Sequence, residues 1–122
     1  MTFTPNEVRY LAGQRLGRLA TIGPDGAPQV RPVAFFVHGA AGTIDVGGLH
    51  MGTTQKFRNV ERDGRAALVV DDLAPGDGWN PRALEVRGRA EALREHEPPR
   101  EGFSREIIRI HADRVISWGV GD

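Results

Sequence analysis

Leu84, Val86, Gly88, Ala90 and Ala92 alternate with Glu85, Arg87, Arg89 and Glu91, a run of strict period two in the C-terminal half of the chain. Only an extended strand sends successive side chains to opposite faces, so this run predicts a half-buried antiparallel strand with one wet face. Such a strand needs ladder partners, and the rest of the 122 residues offers several. Leu16 to Ile22 runs into Gly23-Pro24-Asp25-Gly26, whose residues supply the fixed and positive φ angles of a tight reversal. The next strand, Gln29 to Val37, puts Gln29, Arg31, Val33, Phe35 and Val37 on one face and Val30, Pro32, Ala34 and Phe36 on the other. Pro32 cannot donate to a ladder, which predicts an edge position or a bulge. Short strands follow at Thr43–Gly48 and Arg65–Val70, the latter stopped by Asp71-Asp72. The segments Ile107–His111 and Val115–Trp118 form one bent strand or two short ones.

Helical signals are confined to two places. Thr4-Pro5-Asn6-Glu7 reads as a capping box with proline at the first helical position, and Phe3 and Val8 can staple it. That helix should end at Gly13. A second short helix is expected between Thr53 and Asp63, capped by Thr53-Thr54 and with Phe57 and Val60 on one face. Residues 73–81 read as a loop and 94–102 as an exposed connection. Six or seven short strands with two small helices define a mainly β, antiparallel barrel or sandwich. At 39% hydrophobic content the chain can bury one core, so residues 1–122 are read as one domain.

Composition removes several kinds of chemistry. Sixteen basic residues balance sixteen acidic ones, which favours neither nucleic acid nor an anionic membrane as a partner. Cysteine is absent, as are thiolate metal sites and cysteine nucleophiles with it. Ser104 and Ser117 lie outside any nucleophile turn, and His38, His50, His96 and His111 form no metal-binding helical pair. No metal site is assigned, and no catalytic residue is fixed. The first residues lack a signal-peptide pattern and no run is long enough to span a bilayer, so a soluble, cytoplasmic protein is expected.

The ten residues Gly47-Gly48-Leu49-His50-Met51-Gly52-Thr53-Thr54-Gln55-Lys56 stand apart. They join a flexible backbone after a strand, two hydroxyls and a helix start to the only lysine of the chain. These are the parts of a phosphate seat. They are equally the parts of an ordinary loop with a capped helix and a solvated lysine.

Gly47 to Val70, containing Thr54-x-Lys56-Phe57-Arg58-Asn59-Val60 and then Arg65-x-Ala67-Leu68-Val69-Val70, resembles the central block of the pyridoxamine-phosphate-oxidase-like split β-barrels. Leu16–Thr21 before Gly-Pro-Asp-Gly, Val30–Val33, Val86–Glu91 and Ile108–Ile110 are similar to that family as well. Asp71-Asp72, Trp79–Arg82 and Ser117–Gly119 most resemble an actinobacterial branch of enzymes that use the deazaflavin coenzyme F420. The resemblance implies an FMN-binding-type split barrel in which Thr54, Lys56 and Arg31 grip the cofactor phosphate, with Thr53 and Asn59 in the same motif. Backbone around Pro32 and Val33 would then face the ring. It also implies a homodimer that closes the site, and a small unsaturated or conjugated substrate reduced by coenzyme F420. FMN is the alternative cofactor, and a non-enzymatic F420 or flavin carrier the alternative role. His50 and Arg31 are candidates for a proton donor or charge stabiliser. Vitamin oxidases of the family carry glutamine where this chain has Ala83, and the chain ends at Asp122 without their C-terminal extension. Oxidation of pyridoxamine phosphate is therefore not expected. Trp79 and Trp118 could stack on a ring, with core the expectation for Trp118, and residues 73–81 would shape the substrate's surroundings.

Overall fold

The protein was described from a computed structural model covering residues 2–121; Met1 and Asp122, the two ends of the domain read over 1–122, lie outside the described residues. Helix α1 (Pro5–Ala12) is followed by β1 (Gly17–Ile22), β2 (Pro28–His38) and β3 (Thr43–Gly47). A 3-10 turn at Met51–Thr53 leads into α2 (Gln55–Arg62), and β4 (Arg65–Leu73), β5 (Pro81–Leu93), β6 (Ile107–His111) and β7 (Arg114–Trp118) complete the order. All ladders are antiparallel, in the order β4-β1-β2-β3-β6-β5-β7, and an added β4–β5 pairing closes six of the strands into a barrel. Strand β7 is the seventh, lying against β5 outside that closure.

The thirteen residues of β5 make this closure possible. Residues 81–89 pair with β4, residues 83–87 also pair with β7, and residues 90–93 pair with β6. At Gly88, between the last β7 partner and the first β6 partner, the chain leaving β6 crosses so closely that a Cβ would lie 1.8 Å from the His111 carbonyl oxygen. Only glycine fits there. Strand β2 is shared in a similar way: residues 28–33 pair with β1 and residues 34–38 with β3. Pro32 falls in the stretch whose ladder is with β1 alone, which is the edge position that was one of its two expected settings.

The barrel interior is filled by alternate residues of each strand, among them Leu19, Phe35, Ile44, Leu68, Val86 and Ile108, with Phe57 of α2 fully buried beside them. Burying Phe57 alone is worth about 1.5–3 kcal/mol. Helix α1 carries the expected capping box, with Thr4 Oγ1 accepting from Glu7 N at 3.2 Å and Glu7 Oε1 accepting from Thr4 N at 2.8 Å. The other Glu7 oxygen accepts from Ser117 Oγ at 2.7 Å, which ties α1 to β7.

Four expectations change. Strand β4 does not stop at Asp71-Asp72 but runs through them to Leu73, and β5 starts at Pro81, three residues before the alternating run. Cross-strand partners account for it: Asp71 pairs with Arg18 of β1 and Asp72 with Arg82 of β5. The loop between them shrinks to residues 74–80 and is closed by Ala74 N donating to Asn80 O at 2.8 Å. The connection after β5 is not simply exposed: it folds back over the outer face of β3. Arg109 and His38 hold the buried Asp45 carboxylate there, and Pro99 and Phe103 sit so close to Gly47 that a Cβ would lie 2.8 Å from Pro99. Trp118 is 47% exposed and is not a core residue.

Candidate cofactor-phosphate site

Where the inner face of β2 emerges from the core, Gln29 and Arg31 continue the row of Val33 and Phe35 but meet the start of α2 instead of packed side chains. A cavity of about 280 Å³ lies there, lined by Leu19 and Thr21 of β1, Gln29 and Arg31 of β2, and Thr54, Gln55 and Lys56. Three of the residues singled out in the sequence are thus brought together, Arg31 joining Thr54 and Lys56 from more than twenty positions away.

The electrostatics of the cavity are one-sided. Arg31 donates to its neighbour's carbonyl, Val30 O, at 2.9 Å, and neither it nor Lys56 has a carboxylate partner among the described residues. Partial burial of Lys56, then the positive charge of Arg31, lowers its pKa below the ordinary lysine value. Two neighbouring cations without an anion repel each other, and an anionic ligand would relieve that repulsion. The amides of the first helical turn, which have no intrahelical acceptor, lie at the same end of α2.

Behind the cavity stands Asn59, fully buried. Its Nδ2 donates to Thr21 Oγ1 at 3.0 Å and to Gln29 Oε1 at 2.9 Å, while its Oδ1 accepts from Gln55 Nε2 at 2.8 Å. Every polar group of the Asn59 side chain is used in fixing three lining residues. It does not itself line the cavity. Because the Gln29 carbonyl is turned to Asn59, its Nε2 is left pointing towards Gly23, where a Cβ would come within 2.8 Å. The charged groups of the wall, Arg31 and Lys56, are both N–H donors, which suits a phosphate.

Thr54 lines the cavity with its hydroxyl already engaged, and the remaining sequence candidates lie elsewhere. Thr54 caps α2, accepting from Phe57 N at 3.3 Å, and its hydroxyl donates to Met51 O at 2.7 Å. To donate to a phosphate, that hydroxyl has to leave Met51. Thr53 is exposed and donates to His50 O at 3.1 Å. Pro32 is exposed on the outer side of β2, and Val33 is buried in the core. His50 is exposed and outside the cavity lining. Ala83 is buried on β5, opposite Asp71 on one side and Trp118 on the other. The sequence reading missed Leu19, Thr21, Gln29 and Gln55. For Gln29 the signal was present, since it shares a strand face with Arg31 two residues on.

The profile described as pyridoxamine 5'-phosphate oxidase matches residues 3–119, and the chain belongs to that family. It is 43% identical, over 98% of its length and 85% of the relative's, to a 5a,11a-dehydrotetracycline/5a,11a-dehydrooxytetracycline reductase of Streptomyces rimosus. Among solved structures, the conserved hypothetical protein Rv2991 of Mycobacterium tuberculosis superposes with a TM-score of 0.74 at 25% identity, covering 98% of this chain and 87% of that one. An F420 reductase superposes with a TM-score of 0.63 at 28% identity, covering 84% of this chain and 90% of that one. The closed six-stranded barrel with its added seventh strand is the split-barrel fold of this family.

Proposed function

We propose that this protein is an oxidoreductase that binds coenzyme F420 through its phosphate at Arg31 and Lys56 and reduces a small unsaturated or conjugated substrate. The observation that carries the reading is the pair of cations without a carboxylate, facing one cavity at a helix start. Arg31 can meet two phosphate oxygens at once, Lys56 adds a compact charge, and Asn59 keeps the surrounding amides aimed. When bound, the cofactor supplies the hydride donor; the protein's share is position and electrostatics. A Streptomyces relative that is a reductase, and a structural neighbour that is an F420 reductase, support the class of reaction and the choice of cofactor.

The test is titration of the purified protein with coenzyme F420 and, separately, with FMN, followed by fluorescence and binding heat. F420 is expected to bind, and Lys56→Ala and Arg31→Ala each to weaken it about ten- to hundredfold, as loss of a charge-assisted bond requires. Tight FMN binding without F420 binding would overturn the cofactor choice. Unchanged affinity in both variants would move the site elsewhere.

The reading extends to a homodimer. Residues 28–33 of β2 have β1 as their only ladder partner among the described residues, and Val30 there is 58% exposed beside Pro32. A second copy covering this edge would shield it and close the mouth of the cavity.

A further inference from the structure

The segment after β5 reaches beyond the sheet it covers and ends against the loop that leads into α2. That loop holds the 3-10 turn Met51–Thr53, whose first N–H has no acceptor inside so short a turn. His50, at the capping position, makes no side-chain bond to it. The cap comes instead from fifty-three residues away, with Met51 N donating to Ser104 Oγ at 3.1 Å. Ser104 is itself held twice, its N–H and its hydroxyl both donating to Gly48 O, at 2.9 and 3.2 Å.

From Met51 the bonds run on into the helix. The Met51 carbonyl accepts from Thr54 N at 3.1 Å and from Thr54 Oγ1 at 2.7 Å, and Thr54 Oγ1 accepts from Phe57 N at 3.3 Å. Both hydroxyls thus donate and accept in turn, and one run of hydrogen bonds joins Gly48, Ser104, Met51, Thr54 and Phe57. In such a run each bond orients the next. The Met51 side chain is fully buried, and a Cβ on Gly52 would lie 2.8 Å from the Glu106 side chain, so the turn has little room to slide.

Residues 94–106 form a strap that is itself anchored. At its start Arg94 bonds Glu61 at 2.7 Å, near the far end of α2, and lies 5.0 Å over the Phe57 ring. Further on, Phe103 meets Phe36 edge to face, and Arg100 lies 5.2 Å from both rings. No residue of the strap lines the phosphate cavity.

We propose that Ser104 is a positioning residue for the phosphate cavity: from outside it, Ser104 fixes the Met51–Thr53 turn and with it the direction in which Thr54 and the first amides of α2 face the ligand. The assignment rests on the phosphate-site reading above and adds to it a residue that touches no part of the ligand. When the Thr54 hydroxyl turns from Met51 to a phosphate, the Ser104 bond keeps the turn in place.

The test is titration of wild type, Ser104→Ala, Ser104→Thr and Lys56→Ala with whichever of coenzyme F420 and FMN the wild type binds, together with amide hydrogen exchange of the ligand-free proteins. Ser104→Ala is expected to weaken the cofactor about three- to tenfold, as loss of one neutral hydrogen bond carried to the site, and Ser104→Thr to restore affinity to within about twofold. Ser104→Cys keeps the volume with a poor acceptor and carries the same expectation as alanine, should the alanine variant not fold. In ligand-free Ser104→Ala the Phe57 amide should exchange about tenfold faster while the β1 amides keep their wild-type rates, a pattern that general loosening of the fold does not give. Affinity unchanged in Ser104→Ala but lost in Lys56→Ala overturns the positioning role and leaves the phosphate site standing. Equally low affinity in Ser104→Ala and Ser104→Thr also overturns it, because packing and not the hydroxyl would then be at work. Affinity unchanged in Lys56→Ala, or a wild type that binds neither cofactor, removes the phosphate reading and the role of Ser104 with it.

Discussion

Lys56 shows how a single residue can work against the fold that holds it. Burial and the nearby Arg31 lower its pKa, so folding disfavours its charged form. The cost is present below the folded pKa and disappears as pH rises through that value towards the unfolded one. Lys56→Met, which keeps the methylene packing, should therefore be at least as stable as wild type near neutral pH. Its advantage should vanish in alkaline solution, as denaturant unfolding at several pH values would register. Cofactor affinity should run in the opposite sense, falling in the variant, and in wild type falling as Lys56 loses its proton. A residue selected for stability alone would not behave so. Asn59 belongs to the same scale: no partner of its amide lies within three residues, and each adjoins the cavity.

Among the elements, α1 is the one whose local chemistry is most complete. Thr4→Ala should cost about 1 kcal/mol through loss of the cap. Glu7→Ala should cost more, because Glu7 closes the capping box and also accepts from Ser117 on β7; thermal or denaturant unfolding of the two variants gives the ranking. This helix, both strands around Gly23–Gly26 and the cap of α2 were legible in the sequence because their determinants lie within a few residues of one another. Strand β4 was not. Asp71-Asp72 looks like a terminator locally, and the arginines that keep it in the sheet come from β1 and β5. The covering of β3 by the segment after β5 was hidden for the same reason, since Gly47 gives no hint that Pro99 and Phe103 will lie on it. At the candidate site, Lys56 and Thr54 were readable as a helix start, and Arg31 entered through family resemblance. The remaining lining residues depend on which strand face opens at the barrel wall, which is settled only by tertiary packing.

For the whole molecule, acid should be the weak side. Hydrogen bonding to Arg82 holds Asp72 down at about 2; at Asp45 burial pushes upward, but Arg109 and His38 outweigh it and lower the pKa. Carboxylates with depressed folded pKa values contribute stability above their unfolded value, and that contribution is lost as pH falls through the folded one. Unfolding free energy should fall steeply below about pH 4, and Asp45→Asn should flatten part of that fall, as denaturant titrations across this range would reveal. The proposed homodimer has its own test: Val30→Asp should shift the protein to a monomer in light scattering and weaken cofactor binding with it, while a wild-type monomer would remove the partner from the site. The long strand β5, shared among β4, β6 and β7, also sets an order of assembly. During synthesis the β4–β5 hairpin can form as soon as it emerges, but the wall stays open until residues 107–111 arrive. Until then the facing edges of β3 and β5 have no strand between them, so a ribosome that stalls before Ile107 leaves an aggregation-prone gutter in place of a barrel.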